Sequence, residues 1–184
     1  VIVAFWIFLA VAFVLLCAFF VLYLGMTAGR IDRLHRRIDI AMISLDSHLL
    51  RRSGVMLELA SSGFLDPASS VLISEAAHAA RLSTDLSSTQ RDRAESELTS
   101  ALNAVLDTEE IELIQEEVGG SEILEECFAA SRRVELSRRF LNDAVRACVQ
   151  LRQQRSARWF HLGGHTPLPQ TREIYDHVEV SDRK

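Results

Sequence analysis

The residues best suited to chemistry lie near the C-terminus. In "HLGGH", His161 and His165 stand four apart, with Glu173 and His177 further on. Two imidazoles at that spacing on one helix face, joined by a carboxylate, are a way to hold zinc. Gly163 and Gly164 break the helix that would align them, and no H-E-x-x-H is present, so the stretch reads as a solvated loop. The run from Asp107 to Glu126 holds nine acids and no base, yet it lacks the alternating acid-and-glycine loop of a calcium site. No glycine-rich phosphate loop, nucleophile elbow or Cys-His pair occurs. Cys17, Cys127 and Cys148 form no C-x-x-C and read as small apolar fillers, consistent with a reducing compartment. The sequence names no catalytic, cofactor-binding or metal-binding residue.

A second candidate is the stretch "RRFLNDAV", Arg138 to Val145, inside a long helical pattern. Cys127, Val134, Leu141 and Cys148 repeat every seven residues, and Ala130, Ser137, Ala144 and Leu151 fill the paired position. This is an a/d seam suited to bundle packing, within one chain or between two copies. Arg138, Asn142 and Arg146 then line up four apart on the flank of the seam, with Arg139 and Asp143 further towards solvent. Such a stripe fits an ordinary wet face, or a docking surface for another helix or protein.

The elements that must position these residues begin with "VIVAFWIFLAVAFVLLCAFFVLYLGM", residues 1–26, which carry no charge. A helix of that length reaches about 39 Å, against a hydrocarbon core of about 30 Å. Trp6 and Tyr23 suit the two interfaces. The sequence therefore predicts a transmembrane anchor. No base precedes it, while Arg30, Arg33, Arg36 and Arg37 come after it, so basic-side orientation predicts the N-terminus outside and the body in the cytoplasm, at the inner (plasma) membrane.

Beyond the anchor, Ile31, Leu34, Ile38, Met42, Leu45, Leu49, Met56 and Ala60 form one helical stripe. No proline or turn cluster separates this stripe from the anchor, so one long rod is expected, ended near Gly63. Asp66 as N-cap and Pro67 at the first helical position restart a helix to about Leu86. "SSTQ" caps a third from about Gln90, and Ser121 in "VGGSE" caps the last helix. The pattern predicts an all-α chain in which one transmembrane helix continues into an antiparallel bundle of about four long helices. Its parts are an anchor (1–26), a bundle (27–160) and a loop and extended tail (161–184), held by Trp159, Phe160 and Tyr175. A net charge of −5 argues against general nucleic-acid binding, which needs a basic surface. The acidic run instead suits the arginine-rich stretch from Arg132 to Arg158.

Three segments, "LDSHLLRR" (Leu45–Arg52), "RAESELTSAL" (Arg93–Leu102) and "RRFLNDAV", together resemble the LemA family in motif and order. The resemblance covers roughly residues 30–160. It implies a bundle of long antiparallel helices tethered by one N-terminal helix. It makes Asp46, Arg51, Arg52, Glu95, Arg139, Asn142 and Asp143 family-pattern positions, with no catalytic residue among them. The chain departs from the family pattern where "SGVMLEL" stands after the first Arg-Arg, in its acidic middle section, and where "QQRSARWFHL" stands after the last helix. The expectation is a non-enzymatic, membrane-anchored protein without a cofactor, acting as an accessory subunit or scaffold of a larger membrane complex, respiratory or envelope. Its partner would meet Arg138, Arg139, Asn142 and Arg146, or Asp46, Arg51 and Arg52. The alternative is a sensor or regulator that responds to a ligand or metal through the histidines of the tail.

Overall fold

Nothing in the first sixty residues supplies a helix stop, and the chain behaves accordingly. In the computed structural model, which describes residues 2–153 and 168–178, α1 runs unbroken over Ile2–Ser61. Its end comes at Gly63, whose φ of 84° is a left-handed conformation that a side chain would strain. α2 spans Pro67–Leu82; the Asp66 carboxylate accepts from the Ala68 and Ser69 N–H groups, and Pro67 opens the helix. The nearby Ser69 side chain, and then these two backbone bonds, hold the Asp66 carboxyl below its ordinary range. A 3-10 turn, Ser83–Asp85, leads to α3, Ser88–Val105. Ser87 and Gln90 form a reciprocal capping box there, so α3 starts two residues before the expected Gln90.

The acidic run forms a helix of its own, α4, Thr108–Glu116, capped by Asp107. Ile111 and Ile114 face inward while Glu109, Glu112 and Glu116 stay in solvent. Glu126, at the end of the run, reaches Arg51 of α1 rather than an arginine of the last helix. α5 covers Gly120–Gln153. Ser121 does not cap it as expected: it lies inside the helix, and its hydroxyl donates to the Gln115 carbonyl at 3.4 Å. Gly120 is the residue the corner requires, because a Cβ there would lie 1.7 Å from the Ile114 carbonyl oxygen. Among the described residues the chain is all-α, with five α-helices and no strand.

The chain divides into two compact units. One comprises Val1–Asp39 with Asp143–Gln170, the other Ile40–Asn142 with Thr171–Lys184. In the first, Ile31 and Leu151 are buried together with Leu34 packed beside them. Phe5, Trp6, Phe8, Phe13, Phe19 and Leu22 of the apolar stretch are all exposed, and none of its most apolar window is buried. That stretch, with a mean hydropathy of 3.0, makes α1 the helix long and apolar enough to cross a membrane.

The second unit holds the larger core. Val55, Met56 and Leu59 of α1 meet Ile73, Ala77 and Ala80 of α2, Leu98, Leu102 and Val105 of α3, and Leu124, Cys127 and Ala130 of α5. The small alanines let α2 lie close on α3. Each fully buried Leu or Ile stabilises the fold by about 1.5–3 kcal/mol relative to exposure. The expected stripe on α1 is largely inside, but Met42 is 41% exposed while Arg52 and Ser53 take inward positions. The a/d seam of α5 is buried at every expected position except Ser137, which is half-buried.

Candidate functional site

Residues 171–178 belong to neither helix nor strand, so their backbone polar groups need partners from elsewhere. Helix side chains supply them. The Arg172 N–H donates to Asn142 Oδ1 at 2.9 Å, and Asn142 Nδ2 donates back to the Arg172 carbonyl at 3.0 Å. The Glu173 N–H donates to Asp92 Oδ2 at 3.2 Å and the Tyr175 N–H to Ser96 Oγ at 3.0 Å. Asn103 Nδ2 donates to the His177 carbonyl at 3.0 Å.

Partner numbers rise along α3 (92, 96, 103) and fall along α5 (142, 138). The segment therefore runs with α3 and against α5. From Asp92 to Asn103 a helix rises about 16 Å, and five extended residues cover about the same length. Ile174, Asp176 and Val178 are buried while Glu173, Tyr175 and His177 are exposed, the period of two expected of an extended chain on a surface. The buried carboxylate is matched: Arg138 grips Asp176 with Nε–Oδ2 at 2.5 Å and Nη2–Oδ1 at 2.9 Å. That fork, above all, raises the Arg138 pKa beyond the ordinary guanidinium value. Arg172 Nε reaches Asp92 Oδ1 at 2.6 Å.

A second arginine system lies deeper. Arg52 is 1% exposed and donates to Glu95 Oε2 at 2.6 Å, to the Glu95 carbonyl at 3.0 Å and to Thr99 Oγ1 at 3.1 Å. Arg91 pairs with Asp46 at 2.8 Å. A buried guanidinium is tolerable only with such a partner, and loss of one member leaves an uncompensated charge.

The residues expected at a partner surface thus separate. Arg138 and Asn142 hold the chain's own residues 171–178, and Arg52 is enclosed with Glu95. Asp46 is engaged by Arg91. Arg51, Arg139 and Arg146 face solvent, beside Glu126, Glu135 and Asp143 respectively. The expected tail anchors Trp159 and Phe160, and the histidines His161 and His165, lie outside the described residues. Among the described residues no cluster of His, Cys, Asp and Glu is arranged to hold a metal ion. Burial pushes the Cys127 thiol up to about 12, so it is protonated at neutral pH and a poor nucleophile.

Sequence reasoning missed the role of Asp92, Arg172 and Asp176. Their signal was the alternation in "REIYDHV" (Arg172–Val178), hidden because the middle inward position is an acid. Among the described residues, fold and site define a class: an all-α protein, built around arginine–carboxylate pairs, with one helix long and apolar enough to cross a membrane. No protein-family model, curated protein or solved structure matches this chain.

Proposed function

We propose that this protein is a membrane-anchored helical bundle of LemA type that acts by binding, as an accessory subunit or scaffold of a larger membrane complex, and not by catalysis. The observation that carries the reading is the apolar stretch of α1, exposed along its described length and continuous with the helix that enters the core of the second unit. A charge-free apolar cylinder of this size is poorly soluble in water and suited to lipid or to another transmembrane helix. Arg30, Arg33, Arg36 and Arg37 beyond it favour a cytoplasmic body.

The LemA-type reading draws support from how its three segments meet. Arg52 of the first grips Glu95 of the second, and Arg138 and Asn142 of the third share residues 172–176 with Asp92 and Ser96 of α3. Pattern positions of this kind maintain a bundle. Partner recognition then falls to the anchor and to the solvent-facing Arg51, Arg139 and Arg146. Exposed polar side chains contribute specificity and orientation more than affinity.

The test is affinity purification of the tagged full-length protein in mild detergent, beside a form lacking residues 1–26. A stoichiometric membrane complex recovered only with residues 1–26 present supports docking within the bilayer. Recovery by both forms moves the contact to the bundle, where Arg139→Glu with Arg146→Glu should abolish it. An empty preparation from both forms overturns the scaffold reading.

A further inference from the structure

Past its apolar stretch α1 carries Arg30, Arg33, Arg36 and Arg37 in little more than two turns. Arg30, Arg33, Leu34 and Arg37 have the spacing of a single helical face. With Ala147, Gln150 and Leu151 of α5 they line a cavity of about 450 Å³ inside the first unit. Leu34 and Leu151, which pack with the buried Ile31, give it an apolar side, and the short Ala147 side chain leaves it open.

None of these three arginines has a carboxylate partner among the described residues, unlike those of the second unit. Asp32 and Asp39, their acidic neighbours in sequence, are exposed and line no part of the cavity, and Asp143 of α5 lies beside Arg146. Guanidinium groups gathered without a counter-charge repel one another, and an anion that enters relieves this. A planar fork of donors matches phosphate oxygens in particular. If the apolar stretch spans the bilayer to Met26, Arg30 and Arg33 lie about 6–10 Å past its end. That is close to headgroup depth, since the polar layer adds about 5–8 Å on each side of the hydrocarbon.

We propose that this cavity binds the phosphate of an anionic phospholipid headgroup. Arg30 and Arg33 hold the phosphate oxygens, Arg37 and Gln150 meet the polar groups at the outer end of the headgroup, and Leu34 and Leu151 form the wall against which the headgroup rests. The proposal rests on the reading that α1 crosses a membrane.

The experiment uses the full-length protein in phosphatidylcholine nanodiscs containing increasing phosphatidylglycerol, with native mass spectrometry reading the anionic lipid retained per chain. Saturable retention of one phosphatidylglycerol is expected. Arg30→Gln with Arg33→Gln and Arg37→Gln should weaken it by about tenfold or more. Arg36→Gln, which removes a charge from outside the cavity lining, should leave it within about twofold. Ala147→Leu, which fills the cavity and keeps every arginine, should also abolish retention. An equal loss in Arg36→Gln and in Arg33→Gln made alone would mean a diffuse basic surface and overturn the site. Inorganic phosphate that binds the detergent-solubilised chain through the same arginines, with no preference for the lipid, would assign the cavity to the free anion and overturn the lipid. A chain that enters the discs but retains no phosphatidylglycerol refutes the cavity alone. A chain that fails to enter refutes the membrane reading, and the lipid site with it.

Discussion

Arginine serves two opposite purposes in this protein. In the second unit Arg52, Arg91, Arg138 and Arg172 are largely withdrawn from water, each against a carboxylate. In the first unit Arg30, Arg33 and Arg37 are exposed around a cavity, with no acid against them among the described residues. Burial makes the partner obligatory, because a guanidinium removed from water without one is strongly unfavourable. Exposure makes the partner optional, and a cluster left without one is free to take a ligand. Pairing and solvent access, rather than residue type, separate a structural arginine from a binding one here.

The sharpest way to break this comparison is at Glu95. Glu95→Ala leaves the Arg52 guanidinium buried and unpaired, and should cost about 3–5 kcal/mol in denaturant unfolding monitored by circular dichroism. Arg52→Met together with Glu95→Leu should recover most of that loss, since it is the orphaned charge that destabilises. A double variant as unstable as the single one would mean that the pair contributes specific bonding instead.

A smaller loss, about 1.5–3 kcal/mol, is expected for Asp176→Ala, which frees Arg138. Hydrogen exchange should then rise at the amides of Arg172, Glu173 and Tyr175, which the side chains of α3 and α5 hold. Arg138→Glu with Asn142→Ala should lower the melting temperature for the same reason. Unchanged exchange at these amides would show that Ile174 and Val178 hold the segment without the ion pair.

Third comes a pH effect. The Cys127 thiol titrates near 9 when unfolded and is pushed up to about 12 when buried. The folded state therefore holds the proton longer, and stability is complete below pH 9 and declines as pH rises towards 12. At pH 10 the loss attributable to this thiol is about 1 kcal/mol, and Cys127→Ala should flatten that part of the profile. A slope equal to that of the parent protein would assign the decline to other groups.

The smallest effects belong to the exposed arginines. Arg139→Ala removes an i,i+4 pair with Glu135 in solvent and should change stability by less than about 0.5 kcal/mol. Glutamine at Arg30, Arg33 and Arg37 should be equally mild for folding while it removes lipid retention. A large drop in melting temperature from those three would make them structural and erase the contrast between the two regions.

Much of the fold was legible because its signals are local. Asp66 and Pro67 start a helix wherever they stand, and Ser87 with Gln90 closes its own capping box. The heptad positions of α5 from Cys127 to Leu151 had to face inward together because a helix repeats its faces every seven residues. Ser121 misled because α5 already begins at Gly120, where the crowding Ile114 carbonyl, and not a capping hydroxyl, dictates the residue. Residues 171–178 were expected as part of an extended tail, but their docking on the helices stayed hidden because Asp176 at an inward position breaks the apolar alternation that marks a buried extended segment.

The sequence alone determined the all-α class, an uncharged stretch long enough to cross a membrane, the end of the first helix near Gly63 and the start of the second at Pro67. Each of these arises from interactions within a few positions of one another. Only the tertiary structure decided that Arg138 and Asn142 hold the chain's own C-terminal segment, that Arg52 is enclosed with Glu95, and that Arg30, Arg33 and Arg37 gather around one cavity. A sequence displays every charge but not its neighbour. It is the neighbour, brought from tens of residues away by helix packing, that determines whether an arginine is held or left free.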